Sequence, residues 1–593
     1  MGAQVGMVDG DAGSRPPPPV RRLAFAERIA PDAAEPRRRG RAAFPAADEA
    51  DVVRMPGAAM PPPGARADLT AVPPDVRIVD RMPPGPLLAA NAVPWRRMGS
   101  GVVFAGTRPE ALPALAAAWE AAGGGRASGA RFAPASEADV ARALERVAPR
   151  QAEAAEVRTP GPDSCRWLGA RRSGAGASAA LAAFATATLL APMTVLAVAS
   201  VITALFVLAG TTLRAAALFS AGWKRPPRRP VPHDLPVISV MVPLFREAAI
   251  AERLLVRLSR IDYPRHLLDV RLVTEAEDHT TRRALAAADL PRWTTVVTVP
   301  DGPIRTKPRA LNYALDGCRG DIIGIWDAED APAPDQLLRV AAEFAAAPPG
   351  VACLQGRLAF ATRGQGWLAR CFALEYAGWF RIILPGFEAL GLPIPLGGTT
   401  VFLRRGPLEA VGAWDAHNVT EDADLGIRLA RRGWRTALID TVTMEEPNTR
   451  PIAWIRQRSR WLKGYAVTWM VHSRRPRRLV RDLGPWGALG VQVVLLGTLV
   501  QFALAPALWL YWIGLPGGGG AAMALGWTLA GLLLLSEAVN WTVAVLGAKR
   551  AGIMRHAVLV PTMLLYFPLA TLAAWKALVE VAVAPFYWDK TAH

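Results

Sequence analysis

Residues 321–330 read Asp-Ile-Ile-Gly-Ile-Trp-Asp-Ala-Glu-Asp, an apolar run closed by Asp327, Glu329 and Asp330. The run is too short for a helix and precedes a helical pattern at 334–347, so it reads as a strand buried on both faces. Val237–Phe245, Asp269–Ala276 and Thr294–Pro300 are three more runs of the same kind. With helical patterns at 248–261 and 334–347, they predict an α/β domain over 235–450 with a parallel sheet and crossover helices. Such sheets take ligands beyond the carboxyl ends of their strands. The acidic residues collect there: Asp327, Glu329 and Asp330 after one strand, Glu275, Glu277 and Asp278 after another.

These clusters carry the candidate chemistry. Three carboxylates in four residues repel one another in a bare loop. A hard divalent cation, shared between carboxylates and substrate phosphates, would reverse that cost; the alternative is a polar loop that caps the next helix. Glu277 and Asp278 could accept from the ring and ribose of a nucleotide, although Asp278 before Thr280 and Thr281 could equally cap a helix. Lys307 and Arg309 stand at a helix start, which suits phosphate; a solvated charge pair is the alternative. Glu421, Asp422 and Asp424 fill the first turn of a helix, where acid is favourable in itself. The functional reading is a general base for an acceptor hydroxyl. Gln457, Arg460 and Trp461 fall at i, i+3 and i+4 and share a helix face. Arg460 there could hold a diphosphate and Trp461 could present a flat face to a sugar, or the helix could simply be a membrane anchor.

Around this domain the sequence turns apolar. Ser173–Leu213 holds no charged residue and has Pro192 near its middle. As one helix it would reach about 60 Å, twice a bilayer core. Arg166, Arg171 and Arg172 precede it and Lys224, Arg225, Arg228 and Arg229 follow, so a hairpin over 173–218 with both ends cytoplasmic satisfies length and charge. Arg214, at the inner end, can reach out to the membrane surface. Leu483–Pro516 and Leu525–Leu546 repeat the logic after an interfacial stretch, 451–482. Ala557–Trp575, with Pro561 and Pro568, could cross or lie on the inner surface, within a C-terminal block of 483–593. Residues 1–70, rich in Pro, Ala and Arg, read as a disordered tail, and 71–150 as a small α/β domain joined by a linker over 151–172.

Composition agrees with this division. Of 593 residues 52% are hydrophobic and 20% charged, which excludes a uniformly disordered chain. The formal charge of +18 follows from basic residues flanking the apolar segments. It is not read as a nucleic-acid surface, because no groove motif accompanies it. Four cysteines without a C-x-x-C pair imply neither a disulfide framework nor a zinc site.

Six motifs then fall in order: Pro243–Glu247, Glu277-Asp278, Lys307–Asn312, Asp327-Ala328-Glu329, Thr420-Glu421-Asp422 and Gln457–Trp461. Their sequence resembles a membrane-embedded family 2 glycosyltransferase of the processive branch that includes cellulose and hyaluronan synthases. The resemblance implies a GT-A, Rossmann-like catalytic domain in the cytoplasm of a multi-pass bacterial inner-membrane protein. It implies an inverting hexosyltransferase using a nucleotide-diphospho-sugar, a UDP-sugar above others, with Mg2+ or Mn2+, coupled to export of the growing glycan. Asp422, beside Glu421, matches the catalytic base. Glu277, Asp278, Lys307, Arg309, Asn312, Asp327 and Arg460 match the donor site, and Gln457, Trp461, Gly398 and Thr399 the acceptor side. Asp327, Glu329 and Asp330 match the metal site, with Glu329 departing from the usual D-x-D. The stretch Ala92–Glu110 resembles the N-terminal domain of type II secretion ATPases, some of which bind cyclic di-GMP. Two rival expectations are a single-addition transferase to a polyprenyl phosphate or other lipid acceptor, and a non-catalytic membrane nucleotide receptor.

Overall fold

The computed structural model describes residues 66–98, 101–169, 172–222, 229–247, 251–362, 364–514 and 520–587. The Pro-rich tail expectation for 1–70 lies almost wholly outside these residues, as do Lys224, Arg225, Arg228 and the tail beyond Tyr587. The first body is a three-stranded sheet, β1 (Ala92–Met98), β2 (Gly101–Gly106) and β3 (Arg131–Pro134), in the order β1-β2-β3. Helices Leu112–Ala121 and Glu137–Glu145 accompany it, and Trp119 and Phe104 are fully buried in its core. A further helix, Ala148–Val157, leads out of it.

The second sheet has eight strands: β4 (Ile238–Leu244), β5 (Leu268–Glu275), β6 (Thr294–Val299), β7 (Ile322–Ile325), β8 (Ala331–Pro332), β9 (Val351–Phe360), β10 (Val401–Arg404) and β11 (Arg435–Glu445). Their order is β6-β5-β4-β7-β10-β9-β11-β8. The four runs read from sequence form the parallel part, β6-β5-β4-β7. Beyond them β10 runs antiparallel to β7 and β9, and β11 parallel to β9. Along β4, Ile238, Val240 and Val242 bury into one core while Met241 faces the other. With both faces covered, an unbroken apolar run is required rather than an alternating one. The chain leaves β4 toward β5 on one side and reaches β7 on the other, so the order reverses between these neighbours. That switch point opens a crevice at the strand ends, beside Leu244 and Asp327. This is a GT-A-like α/β fold.

Three described helices are long and apolar enough to cross a membrane: Pro192–Ser220, Pro476–Leu510 and Gly526–Ala551. The charge-free segment folds as two helices, Arg172–Leu190 and Pro192–Ser220, broken at Ala191. Proline lacks an N–H and disfavours helical geometry in the residue before it. The last apolar stretch is a broken pair, Met554–Tyr566 and Pro568–Val583, bent by 46° at Pro568. Arg214, read from sequence as reaching toward the surface, turns into the bundle instead. Its guanidinium lies 3.3 Å from Asn540 Oδ1 and 3.4 Å from Gln501 Oε1, because these polar side chains on neighbouring helices satisfy it there.

Candidate active site

The crevice between β4 and β7 widens into a cavity of about 280 Å3. Seven carboxylates line it, namely Glu247, Glu275, Asp327, Glu329, Glu421, Asp422 and Glu445, against three cations, Arg305, Lys307 and Arg460. They arrive from several elements. Asp327 and Glu329 follow β7, Glu445 ends β11, and Glu421 and Asp422 open the helix Glu421–Arg431. Lys307 starts the helix Lys307–Leu315, while Gln457, Arg460 and Trp461 project from one face of Pro451–Ser473.

At the centre, Lys307 Nζ donates to Asp327 Oδ1 at 2.5 Å and to the Gly398 carbonyl at 3.1 Å. Gly398 has φ +81°, and a Cβ there would lie 2.8 Å from Asp422 Oδ2. Glycine is required both by the backbone and by the approach of the carboxylate. On the other side Gly464 lets the Pro451–Ser473 helix close on Thr420, where a Cβ would overlap the hydroxyl. The Thr420-Glu421-Asp422 turn is thereby clamped between a loop and a helix. Behind it Asp424 accepts from Arg428 Nε at 2.7 Å and pairs with His472 Nε2 at 2.9 Å, fixing the helix from its buried side.

Burial pushes both Glu421 and Asp422 upward. Glu421 is held at about 8 by burial and the Asp422 charge, against the pull of Lys307. Asp422 is also raised by burial, but its carboxylate accepts from the Ala423 N–H at 2.8 Å, which favours the charged form. Two neighbouring carboxyls in different surroundings can divide acid and base work, and the hydrogen-bonded Asp422 is the one whose surroundings favour the charged form. Because a base works only when ionised, turnover at saturating donor falls as pH drops through this raised range. A pH profile flat down to the ordinary carboxylate range, about 4, would contradict it.

Several site residues read from sequence turn away from the cavity. Asp330 is buried; its Oδ2 accepts from the Asp327 N–H at 2.7 Å and from the Thr399 hydroxyl, which shapes the loop under Asp327. Of the three carboxylates read as one set, Asp327 and Glu329 therefore face the cavity, while Asp330 lies buried beneath them and is used up by the loop. Arg309 and Asn312 are also corrected. Residues two apart on a helix do not share a face, and Arg309, two after Lys307, is fully buried. Its Nε donates to Glu156 at 2.9 Å, its Nη2 to the Pro300 carbonyl at 2.8 Å, and its Nη1 lies 3.7 Å from Glu275. Asn312 bridges the Ala155 and Trp414 carbonyls at 2.9 and 2.7 Å. Asp278 caps the helix His279–Ala287, accepting from the Thr281 N–H, and Glu277 pairs with Arg305 at 2.9 Å. The strand-end acid that lines the cavity is Glu275, pushed to about 7 by burial against the pull of Arg309.

Sequence reasoning also missed contributors. Glu445 lines the cavity with a buried Oε1 that has no hydrogen-bond partner, and burial beside Asp330 and Asp327 raises it well above the usual range. The strand-end pair Glu445-Glu446 was its only signal. Tyr376 and Trp461, ring centroids 6.1 Å apart, form an aromatic wall. The Arg458 guanidinium backs Trp461 at 5.0 Å and pairs with Glu375 at 2.5 Å.

The Ala148–Val157 helix runs along Lys307–Leu315. Besides Glu156 and Ala155, Gln151 Nε2 donates to the Tyr313 carbonyl at 2.5 Å and Arg158 pairs with Asp316 at 2.7 Å. The segment leaving the N-terminal body thus grips the helix that begins with Lys307. Glu156→Ala leaves the buried Arg309 with the more distant Glu275 as its remaining carboxylate partner among the described residues. Breaking such a pair costs roughly 3 kcal/mol, so a lowered melting temperature with a raised donor KM is expected. An unchanged melt and KM would show that the grip is idle.

Residues 236–464 match the family model described as glycosyltransferase like family 2, and residues 60–154 match the MshEN domain. A beta-monoglucosyldiacylglycerol synthase of Synechocystis sp. is 32% identical over 290 residues, covering 46% of this chain and 58% of the relative. A probable glucomannan 4-beta-mannosyltransferase of Arabidopsis thaliana is 23% identical, covering 40% of this chain and 44% of the relative. The chain spans about half the length of the curated relatives it matches. Among solved structures, a mannosyltransferase from Pyrobaculum calidifontis in complex with GDP-Man and Mn2+ aligns with a TM-score of 0.43 at 22% identity, covering 63% of this chain and 99% of that one. By the two family models, an MshEN domain at residues 60–154 precedes a family 2 glycosyltransferase domain at 236–464, and the carboxylate-lined cavity lies within the latter.

Proposed function

We propose that the chain is an inverting glycosyltransferase that moves a hexose from a nucleotide-diphospho-sugar, a UDP-sugar by preference, onto a growing polysaccharide at the bacterial inner membrane. The observation that carries this reading is the convergence of Asp422, the Asp327–Lys307 pair and the Gln457–Arg460–Trp461 face on one cavity next to span-length helices. Asp422 takes the proton from the acceptor hydroxyl. That oxygen attacks the anomeric carbon from the face opposite the nucleotide, and the C–O bond to the diphosphate breaks. Lys307 and Arg460 meet the charge that develops on the departing diphosphate. Trp461 and Tyr376 hold the acceptor ring against their faces.

The donor set fits a hard divalent cation, Mg2+ or Mn2+: seven carboxylates face three cations, and such ions are commonly held by one or two carboxylates plus substrate phosphates. Asp327 and Glu329 would hold it, and it would supply charge neutralisation at the diphosphate. We read the MshEN domain as a cyclic di-GMP-binding regulator whose output is the Ala148–Val157 helix. The catalytic domain faces the cytoplasm, so cysteines introduced beside Arg172 and beside Arg229 should both be shielded from an impermeant label in sealed cells; labelling of either would oppose the hairpin.

A second reading, one sugar added to a lipid acceptor, is favoured by the glucolipid synthase relatives. Incubation with radiolabelled UDP- and GDP-sugars and sizing of the product separates the two: polymer supports the first, a single-sugar lipid the second, and absence of transfer neither. Trp461→Ala should shorten or abolish polymer while slow donor hydrolysis persists, since the ring faces the acceptor. Wild-type polymer length from a folded variant would remove Trp461 from the acceptor site.

A further inference from the structure

Where the helix Pro451–Ser473 ends and the next begins at Pro476, the protein holds another cavity of about 350 Å3. Its lining is Arg431, Val471, His472, Arg474, Arg475 and Arg478, none of which lines the active-site cavity. A broader depression of about 700 Å3 continues from Arg475 and Arg478 past Arg477 and Arg481. Seven arginines (431, 432, 474, 475, 477, 478 and 481) gather here around two paired carboxylates, Asp163 and Asp482. Asp482 is already 2.8 Å from Arg431 and is shared with Arg478 and Arg481 at 3.7 and 3.6 Å. Arg474 is held in place from behind, 4.9 Å over the Trp167 ring and donating to the Pro162 carbonyl at 2.6 Å. The side chain of Arg475 makes no hydrogen bond or ion pair among the described residues. Like charges packed this closely disfavour the ionised state unless an anion sits between them.

The chemistry of that anion follows from the donors and from the position. Planar guanidinium forks match phosphate oxygens bidentately. Beyond the cavity the chain bends at Gly484, φ +71°, into Pro485 and turns apolar, with Trp486 and Leu489 about half exposed. Basic residues immediately before a lipid-facing stretch lie at the level of phospholipid headgroups. We propose that this arginine cavity binds a phosphate-bearing anion, supplied by the headgroup of an anionic phospholipid. The cavity also touches the catalytic helix: Arg431 Nη1 lies 3.0 Å from His472 Nδ1, and His472 Nε2 lies 2.9 Å from Asp424, two residues after Asp422. A bound headgroup therefore braces the helix that presents the base. The binding site itself stands apart from the glycosyltransferase reading and is tested without activity.

The test titrates a fluorescent short-chain phosphatidylglycerol into the purified full chain in neutral detergent, with inorganic pyrophosphate as the soluble competitor. A surface arginine contributes about fivefold to such binding, so the Arg475→Gln/Arg478→Gln double variant should bind roughly 25-fold more weakly. Arg283→Gln, an exposed position on the catalytic domain, should bind as wild type. If the double variant fails to fold, Arg475→Gln alone, whose side chain has no partner to lose among the described residues, should show the fivefold effect. Binding that pyrophosphate does not displace assigns the lipid headgroup. Displacement at comparable concentration, lost in the variant, overturns the lipid source and assigns a soluble phosphate to the same cavity. Equal affinity of wild type and variant for both probes overturns the site altogether.

Discussion

Asp422→Asn lowers transfer by about 10²–10⁴ while donor binding persists, as expected when a general base loses its basicity but keeps its shape. The amide can still sit against Gly398 and accept from the Ala423 N–H, so the turn keeps its form. It cannot take a proton from the acceptor. The neighbouring Glu421 is no substitute, because its raised range keeps it protonated near neutrality. Single-turnover transfer beside an independent measurement of donor affinity checks this. Near-normal turnover in the Asn variant would remove Asp422 from the mechanism, and a parallel loss of donor affinity would make the residue structural.

The second large effect is on the donor. Chelation with EDTA should abolish transfer, with recovery on adding Mg2+ or Mn2+. Asp327→Ala should weaken donor binding by about 10- to 100-fold, the range for losing an interaction with a charged group. Its partner Lys307 stays anchored to the Gly398 carbonyl, so the deficit should appear in donor Kd rather than as unfolding. Full activity in metal-free buffer would sink the metal assignment, and a normal donor Kd in Asp327→Ala would place the diphosphate elsewhere.

The parallel half of the sheet was legible because strands buried on both faces must be apolar without interruption, and β4, β5, β6 and β7 are. The other half was not, since β11 buries Thr441 and Thr443 against Gln336 and β9 buries Gln355 against the 397–399 loop, which breaks the apolar signature, and β10 is only four residues long. In the site, a strand end or helix start was enough to read Asp327, Lys307 and Asp422 at the mouth of the crevice, where they line the cavity. Side-chain direction within a motif did not follow from it. Arg309 and Asp330 belong to motifs whose neighbours face the cavity, yet the helical turn and the loop carry them inward. The grip of the Ala148–Val157 helix on Lys307–Leu315 joins segments some 150 residues apart, and no local pattern announces such a contact. Glu445 comes to the cavity from a strand that pairs with β9 and β8, so only the sheet order brings it near Asp327.

A single displacement at the anomeric carbon, driven by Asp422 from the face opposite the nucleotide, is the centre of this mechanism. Its most direct test is the anomeric configuration of the product, read by proton NMR after transfer from the donor that the chain consumes. Inversion is expected, with a β-linked product from an α-linked nucleotide sugar. An α-linked product would contradict the single displacement, as would failure of the reconstituted chain to consume any UDP- or GDP-sugar in the presence of metal and acceptor.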